Sequence, residues 1–327
     1  KAMGIMPDSP ILWRISVALA EGVKTVLEEA RKACPDDPEI WLASLVIRAR
    51  DETDGGWMQA AAVKMADEKK YSPGTMVRAG DLFFRCGSTD AAQVIAKHVM
   101  AKNRGYLPGI VLGLRSSLAK KDVASSLTLA MTAADVAPDP ALFYRIIADL
   151  KIKAKTPDGG MIAALEYLQK HSPKDSRTAQ QLAQAYFQVG EMQRAFSVFI
   201  PLINENIGGV TYQSMLMAAE SARQSGRLSE AVTILENTYV MYPESVNVVN
   251  NLVYTLAQSE ATLERAKRLL PFLLKKGGTS AAVLDTAAIV SLKGGNLEEA
   301  RVYMNQALKL LQGNDLFAEE VMVNAAE

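Results

Sequence analysis

The feature that most constrains the fold of this chain is a break that recurs about every 35 residues from one end to the other. The breaks are prolines or glycines, namely Pro35, Pro73, Gly105, Pro138, Pro173, Gly209, Pro243, Gly278 and Gly313. Weaker turn signals lie about midway between them, at Gly55-Gly56, Gly87, Asp122, Gly159-Gly160, Gly190, Gly226, Ser259-Glu260 and Gly294-Gly295. Each interval is therefore predicted to be helix, turn, helix, turn. A fixed period of this size is typical of solenoids, in which each unit buries its apolar face against its neighbours.

The composition fits a long array with a continuous core. Apolar residues make up 49% of the 327 residues and charged residues 22%, which is ordinary for a globular protein. The 36 basic and 36 acidic residues cancel. Because the chain has no basic excess with which to neutralise a phosphate backbone, we expect that nucleic acid is not its partner.

Cysteine usage and hydropathy bound the cellular setting only broadly. Cys34 and Cys86 are the only cysteines, too few for a disulfide framework, so we expect structural thiols; a disulfide between neighbouring units stays open. No apolar run reaches the about 18 residues that span a bilayer. The longest candidate, residues 281–292, contains Asp285 and is predicted to be amphipathic. We therefore expect no direct membrane insertion.

The first residue is Lys1 rather than an initiator methionine. We expect a processed or partial chain, from which any targeting signal would be missing. A bacterial periplasm or envelope and a bacterial cytoplasm both remain open as its location.

The clearest repeat unit covers residues 176–209. Apolar residues recur at helical spacing in two segments, at Leu182, Ala183 and Tyr186 and again at Ala195, Phe199 and Leu202. Gly190 separates them and supplies a left-handed helix cap. The small residues Ala183 and Ala195 are predicted to lie where the two helices cross closely, since a larger side chain would force the backbones apart.

The same arrangement recurs downstream. The corresponding alanines of the second helices are Ala195, Ala231, Ala266 and Ala300. They are 36, 35 and 34 residues apart, so the repeat keeps its phase over this half of the chain.

These residues resemble the tetratricopeptide repeat (TPR) family. The best matches to its motif are Leu182-Ala183, Tyr186, Gly190, Ala195, Phe199 and the preceding Pro173, and then Ala79-Gly80, Phe83, Gly87, Ala92 and Ala96. The resemblance implies an all-α fold, a right-handed α-α superhelix (solenoid) of about nine TPR-like helix pairs. It also implies that the first helix of each pair lines the concave face, where ligands lie.

The match to the family is uneven along the chain. The units around Asp54-Gly55-Gly56 and Asp158-Gly159-Gly160 have first helices or turns that are several residues too long. The stretch from 106 to 136 has Lys120-Lys121-Asp122 in place of its central glycine. We therefore expect one continuous solenoid with degenerate repeats in residues 1–140 and more regular repeats in residues 141–327. The last stretch, 316–326, is predicted to be a terminal helix.

The chain offers little material for catalysis. Its only histidines, His98 and His171, each lie near the end of a predicted second helix, and we expect exposed terminal side chains there. The sequence has no metal-ligand spacing, no P-loop and no pair of carboxylates placed for acyl or glycosyl transfer. We predict no catalytic residues, no metal site and no cofactor, and hence a protein that is not an enzyme.

The candidate partner-binding residues are polar positions of first helices that the core does not use. This amide strip consists of Arg177, Gln180, Gln184, Phe187, Gln188, Gln213, Glu220, Arg223, Gln224, Asn247, Asn250, Asn251, Tyr254 and Gln258. Amides both donate and accept hydrogen bonds, so they can pair with a peptide backbone of any sequence. Arg177 or Arg223 is predicted to bind a carboxylate, and Phe187 and Tyr254 to anchor apolar groups. No lysine occupies these positions, which argues against a receptor for chaperone tails.

Three functions remain open from the sequence. The leading prediction is a non-catalytic protein–protein interaction scaffold that binds a peptide or protein in the concave groove of a TPR superhelix, with the oligomeric state undetermined. The second is an assembly or secretion component of the bacterial envelope, in polysaccharide or lipoprotein export, because residues 250–257 and 283–286 resemble repeats of such proteins. The third is a non-catalytic repeat region of a larger enzyme.

Overall fold

The computed structural model describes residues 9–19, 23–52, 55–68, 71–154, 157–204, 210–278 and 280–311. These residues form eighteen α-helices and, within those ranges, no β-strand. The prediction of an all-α fold of helix pairs is confirmed. The predicted breaks at Gly209 and Gly313, the turn residue Asp54 and the terminal helix over 316–326 lie outside the described residues.

The chain divides into two compact units, residues 1–155 and 156–327. The helices of the first unit are α1 Pro10–Leu19, α2 Val23–Ala33, α3 Pro38–Asp51, α4 Gly56–Asp67, α5 Pro73–Arg85, α6 Thr89–Lys102, α7 Leu107–Ala119, α8 Val123–Val136 and α9 Ala141–Lys153. Those of the second unit are α10 Gly159–His171, α11 Ser176–Gln188, α12 Met192–Asn204, α13 Tyr212–Gln224, α14 Leu228–Met241, α15 Val246–Ala257, α16 Glu260–Gly277, α17 Ala281–Lys293 and α18 Leu297–Leu310.

Capping side chains explain why many helices start where they do. Ser72 accepts a hydrogen bond from the Thr75 amide, and Pro73 occupies the first helical position, where no amide hydrogen is needed. Asp158 and Asp175 cap α10 and α11 in the same way. The predicted break at Pro73 is thus the start of a helix, fixed by its first-turn chemistry.

Five of the turns between paired helices share one left-handed backbone geometry, at Gly87, Lys121, Gly190, Gly226 and Gly295. Gly190 has φ +82°, and the amide of Glu191 donates to the carbonyl of Tyr186 at 2.9 Å, which closes the end of α11. In the turn that lacks a glycine, Lys121 takes the same left-handed conformation with φ +59°. The Asp122 amide donates there to the Ser117 carbonyl at 3.0 Å. The turn form is therefore kept where the sequence motif fades.

Small residues allow close crossings within the pairs of the second unit. Ala183 of α11 and Ala195 of α12 are both fully buried. The later alanines at the corresponding position, Ala231, Ala266 and Ala300, are buried as well. These positions therefore belong to the core between helices.

One side of each unit is formed by the odd-numbered helices. In the first unit α1, α3 and α5 each approach the next odd-numbered helix to within 8 Å between Cα atoms, and in the second unit α11, α13 and α15 do the same. Among the even-numbered helices of the described chain, only α4 and α6 approach so closely. Helices on the inside of a curved stack lie closer together than those outside. Helices α1, α3, α5 and α7 thus form the inner surface of the first unit, and α11, α13, α15 and α17 that of the second.

Helix α17 departs from the sequence prediction. Residues 281 and 283–291 are all buried, and they include Asp285 with 5% of its surface exposed. The amphipathic pattern predicted for residues 281–292 is therefore wrong. The reason is that α15, α16 and α18 all pack against α17. Separately, none of the helices within the described ranges is both long and apolar enough to cross a bilayer.

Candidate functional site

The residues of the amide strip lie on three successive odd-numbered helices of the second unit, α11, α13 and α15, or directly after them. None of them is fully buried. The exposed members are Arg177, Gln184, Gln188, Gln213, Gln224, Asn247 and Gln258. The half-buried members are Gln180, Phe187, Glu220, Arg223, Asn250, Asn251 and Tyr254.

An ion pair with a neighbouring ring is the main cluster that the structure forms within this strip. Arg223 donates from Nε to Oε2 of Glu220 at 2.8 Å and from Nη2 to Oε1 at 2.5 Å. Gln224 Nε2 also donates to Glu220 Oε1, at 2.6 Å. The Arg223 guanidinium lies over the Tyr254 ring, 5.0 Å from its centroid. The cluster therefore links α13 to α15.

The environment of Glu220 keeps its carboxylate ionised. Burial raises the pKa of this carboxyl, but the hydrogen bond and charge of Arg223 and the hydrogen bond from Gln224 outweigh the burial, so the pKa lies below its ordinary value. Arg223, which the sequence predicts to bind a carboxylate of a partner, thus already binds a carboxylate of its own helix. The spacing of three residues places the two side chains on one helix face.

The amides of α15 differ in their use. Asn251 donates from Nδ2 to the backbone carbonyl of Asn247 at 2.8 Å, which directs this amide along its own helix. The Oδ1 atom of Asn250 is buried and, among the described residues, has no hydrogen-bond partner. A buried carbonyl oxygen without a donor is costly. Asn250 is therefore the amide of this strip that most needs a donor.

A groove on the inner surface of the first unit was not predicted from the sequence. It lies along α3, α5 and α7 and has a volume of about 500 Å³. Its apolar lining comprises Leu42, Val46, Val77, Leu82, Pro108, Val111 and Leu112. Its charged lining comprises Arg78, Asp81, Arg85 and Arg115. We call this site the arginine groove.

Ion pairs fix the charged residues of the arginine groove. Asp81 lies between two arginines, at 2.5 Å from Nη1 of Arg115 and 2.8 Å from Nε of Arg85. Arg78 pairs with Glu39 of α3. The Arg115 guanidinium also lies over the Phe84 ring at 4.5 Å from its centroid. Two of these pairs join successive odd-numbered helices, so the charges of neighbouring repeats are held in register.

A sequence signal for this groove exists but is weak. Asp81 and Arg115 are 34 residues apart, and Val77 and Val111 have the same separation, which is one repeat. The repeat motif is clear around Asp81 but fades in the stretch 106–136 that contains Arg115, so the helix face that Arg115 occupies cannot be assigned from the motif. Structure is needed to show that these positions meet on one surface.

A second cavity of the first unit lies beside α3 and α4 and has a volume of about 570 Å³. Among the described residues, no Cα atom of α3 lies within 8 Å of one of α4, which packs against α6 instead. Trp41, Trp57 and Tyr71 line the gap. Trp41 contacts Tyr71 with 4.7 Å between ring centroids, and Arg48 lies over Trp57 at 4.5 Å. Acidic and basic side chains are mixed around this cavity.

The two histidines differ from each other. His171 is exposed at the end of α10, with Nδ1 at 2.8 Å from the Tyr167 carbonyl. His98 is half-buried, and burial, followed by the charge of Lys102, lowers its pKa. The prediction of an exposed terminal side chain is wrong for His98, because it lies inside α6 and α4 packs against that helix.

The part of the chain that the structure describes contains neither a metal-binding cluster nor a disulfide. Within it, no group of three or more His, Cys, Asp and Glu side chains is placed to hold a metal ion. Cys34 is buried and Cys86 is exposed, and neither forms a disulfide within the described ranges.

The chain is similar to several proteins whose structures have been solved. No family model and no curated protein sequence matches the chain. Similar structures include residues 41 to the end of MamA from Desulfovibrio magneticus RS-1, with 15% identity, a TM-score of 0.46, and coverage of 54% of this chain and 97% of that one. A tetratricopeptide repeat protein from Parabacteroides merdae has 13% identity, a TM-score of 0.41 and coverage of 78% and 99%.

A third similar structure is YrrB, described as a TPR protein with an unusual peptide-binding site. It has 12% identity and a TM-score of 0.41, and the match covers 56% of this chain and 93% of that one. The description of this chain as an array of helix pairs rests on its own helices, turns and crossings.

Proposed function

We propose that this chain is a non-catalytic protein-interaction scaffold that binds a peptide or protein partner along its inner surfaces. The observation that carries the proposal is the arginine groove, where odd-numbered helices of successive repeats place apolar and charged side chains on one surface. The apolar side chain of Val46 is 53% exposed to solvent there. The apolar side chains beside it are half-buried or buried, apart from the exposed Pro108. A partly exposed apolar surface rimmed by charged groups is typical of a surface that a partner covers.

The amide strip of the second unit supplies a different kind of contact. Its exposed glutamines and asparagines match the donors and acceptors of a peptide backbone, and the unpartnered Oδ1 of Asn250 matches a backbone amide. Tyr254 presents a half-buried ring that Arg223 holds in place. This strip binds a partner peptide in an extended conformation with little dependence on the peptide's sequence.

A display library of random twelve-residue peptides, selected against the whole chain, tests this function. We expect selected peptides that lose about tenfold in affinity, which is about 1.4 kcal/mol, when one set of inner-surface residues is replaced. One set is Gln184, Arg223 and Tyr254 replaced together by alanine. The other is Val46, Val77 and Val111 replaced together by serine.

A control variant replaces residues of the same types outside the odd-numbered helices, namely Gln193, Arg268 and Tyr239, by alanine. Gln193 and Arg268 are exposed, and Tyr239 is half-buried as Tyr254 is. We expect the control to bind every selected peptide as the unaltered chain does, and all variants to keep the helical circular dichroism signal. If no peptide is selected, or if both inner-surface variants bind with unchanged affinity, the proposed function is wrong.

A further inference from the structure

We infer that the arginine groove selects a peptide segment in which carboxylate side chains alternate with aliphatic ones. This inference rests on the proposed function, because it names the partner chemistry of one inner surface. It concerns the first unit alone, and the amide strip takes no part in it.

The charges of the groove are arranged with the cations outermost. The side chains of Arg78, Arg85 and Arg115 are 60%, 73% and 41% exposed. The carboxylates that pair with them are more recessed, with Asp81 26% and Glu39 37% exposed. An incoming group therefore meets guanidinium before it meets carboxylate.

These arginines have more N–H donors than their ion pairs within the groove use. A guanidinium has five N–H donors, and each pair within the groove joins one guanidinium nitrogen to one carboxylate oxygen. Three arginines face two carboxylates, so one positive charge remains uncompensated in this set. Carboxylates of a partner would complete both the charge balance and the hydrogen bonding.

Arg115 is held in position before any partner arrives. Its ion pair with Asp81 and its stacking on the Phe84 ring restrain the side chain from two directions. Since less rotamer freedom is lost on binding, a restrained arginine binds a carboxylate more tightly than a mobile one. The groove is therefore preorganised for an anion at this place.

A close approach of α5 and α7 brings the arginines of the two helices together. A Cβ atom at Gly80 of α5 would overlap Cδ2 of Leu112 on α7, so a larger residue at position 80 would force the Leu112 side chain to shift. The approach places Val77 and Val111 in one apolar floor, with Arg78 and Arg115 beside it. A peptide with aliphatic side chains toward the floor and carboxylates toward the rim matches this layout.

The groove suits a peptide better than single-stranded nucleic acid. Proteins that bind single strands stack bases on aromatic side chains and follow the backbone with a long basic track. The groove lining, in the described part of the chain, contains aliphatic residues and four charged ones but no aromatic ring. A peptide in which aliphatic side chains alternate with acidic ones is therefore the favoured occupant.

Fluorescence anisotropy with three fluorescein-labelled twelve-residue peptides tests the inference. The peptides share alternating leucine and valine residues and differ in the residues between them, which are Asp and Glu, Asn and Gln, or Lys. We expect the acidic peptide to bind the whole chain about tenfold more tightly than the amide peptide at about 50 mM salt, with the difference shrinking at about 500 mM.

A charge-matched pair of variants locates the site. In the groove variant Arg78, Arg85 and Arg115 are replaced by Gln; in the control Arg227, Arg268 and Arg301, which lie outside the odd-numbered helices, are replaced by Gln. Both variants lose three positive charges. We expect the groove variant to lose the preference for the acidic peptide and the control to keep it within about twofold. If the groove variant fails to fold, Arg85→Gln alone, at the most exposed of the three, should reduce the preference about threefold.

Several results would overturn the inference. They are equal binding of the acidic and amide peptides, no binding of the acidic peptide, an equal loss in both variants, and displacement of the acidic peptide by a twelve-nucleotide oligouridylate at the same concentration. The display library separates this failure from failure of the proposed function. Selected peptides that are not acidic, and that lose affinity in an inner-surface variant, would leave the function standing while the inference falls.

Discussion

The guanidinium carbon of Arg223 lies 5.0 Å from the centroid of the Tyr254 ring, and this contact ties α13 to α15 on the inner surface of the second unit. Two hydrogen bonds from the same guanidinium to Glu220 fix its orientation. A cation stacked on a ring and bound to a carboxylate is worth more than either contact on an open surface, since both partners are partly desolvated. The carboxylate of Glu220 therefore helps to set how neighbouring repeats meet.

Replacing Glu220 by Gln is expected to lower the free energy of unfolding by about 1 kcal/mol at pH 7. The folded-state pKa of Glu220 lies below its ordinary value, so its stabilising effect is present above the unfolded pKa of about 4.3 and is lost as the pH falls through the folded pKa. The difference between the unaltered chain and Glu220→Gln should thus disappear on acidification toward pH 3. Urea unfolding at a series of pH values measures it.

The control for this prediction is Glu29→Gln. Glu29 is exposed in the middle of α2, away from the helix N-terminus, so little stability should depend on its charge at any pH. A constant difference between Glu220→Gln and the unaltered chain from pH 7 to pH 3 would show that the carboxylate charge is not the stabilising element.

Replacing Lys121 by Gly is expected to stabilise the chain by about 1 kcal/mol. Lys121 has φ +59° in the turn between α7 and α8, where the equivalent residues Gly87, Gly190 and Gly226 have φ between +76° and +85°. A side chain strains this backbone conformation and glycine does not. Thermal or urea unfolding measures the gain.

The matched control is Lys121→Ala, which removes the same long side chain but keeps the Cβ atom. It should leave stability nearly unchanged, because the strain comes from the Cβ. Equal stabilisation by both substitutions would assign the effect to loss of the lysine rather than to the backbone.

The fold of this chain could be predicted from its sequence because the residues that form turns and close helix crossings recur from repeat to repeat. Gly190 indicates a turn, and Ala183 and Ala195 indicate a close helix crossing. Equivalent residues recur about every 35 residues. Even the turn without glycine could be placed, since Lys120-Lys121-Asp122 lies at the expected midpoint. The left-handed φ of Lys121 could not, because nothing in a lysine favours that conformation.

The candidate site was less accessible from the sequence. The pairing of Glu220 with Arg223 follows from a spacing of three residues on one helix. The pairing of Asp81 with Arg115 requires two helices in the correct register, which the motif does not supply because it fades in the stretch 106–136 that contains Arg115. The displacement of α4 from α3 depends on how several helices pack, so the half-burial of His98 beneath α4 could not be foreseen.

Replacing Asp37 separates two of its roles in the first unit. Asp37 caps α3 by accepting hydrogen bonds from the amides of Glu39 and Ile40, and it binds Arg14 of α1 at 3.1 and 2.7 Å. Asn keeps the cap and loses the charge, so Asp37→Asn should cost about 1 kcal/mol; Ala loses both, so Asp37→Ala should cost about 2 kcal/mol. Urea unfolding measures both. Equal costs would mean that the cap contributes nothing.

Acidification should reproduce the effect of Asp37→Asn. Burial alone raises the pKa of the Asp37 carboxyl, but the hydrogen bonds from Arg14 and the amides outweigh burial, so the pKa lies below its ordinary value. The ion pair therefore stabilises the fold above the unfolded pKa of about 3.9, and the stabilisation is lost as the pH falls through the lower folded pKa. Asp37→Asn should show a weaker loss of stability over that interval. An unchanged acid dependence would contradict the assignment.

Replacing Ala231 by Leu tests the close crossing of α13 and α14. Ala231 is fully buried in α14, and a larger side chain there must push the helices apart or take a strained rotamer. We expect a loss of about 1–3 kcal/mol in the free energy of unfolding, measured by urea denaturation with helical circular dichroism. Thr233→Leu on the same helix, where the side chain is exposed, should change stability little. If Ala231→Leu is as stable as Thr233→Leu, the crossing has room that the buried surface does not indicate, and the alanine at this position is not what sets the helix spacing.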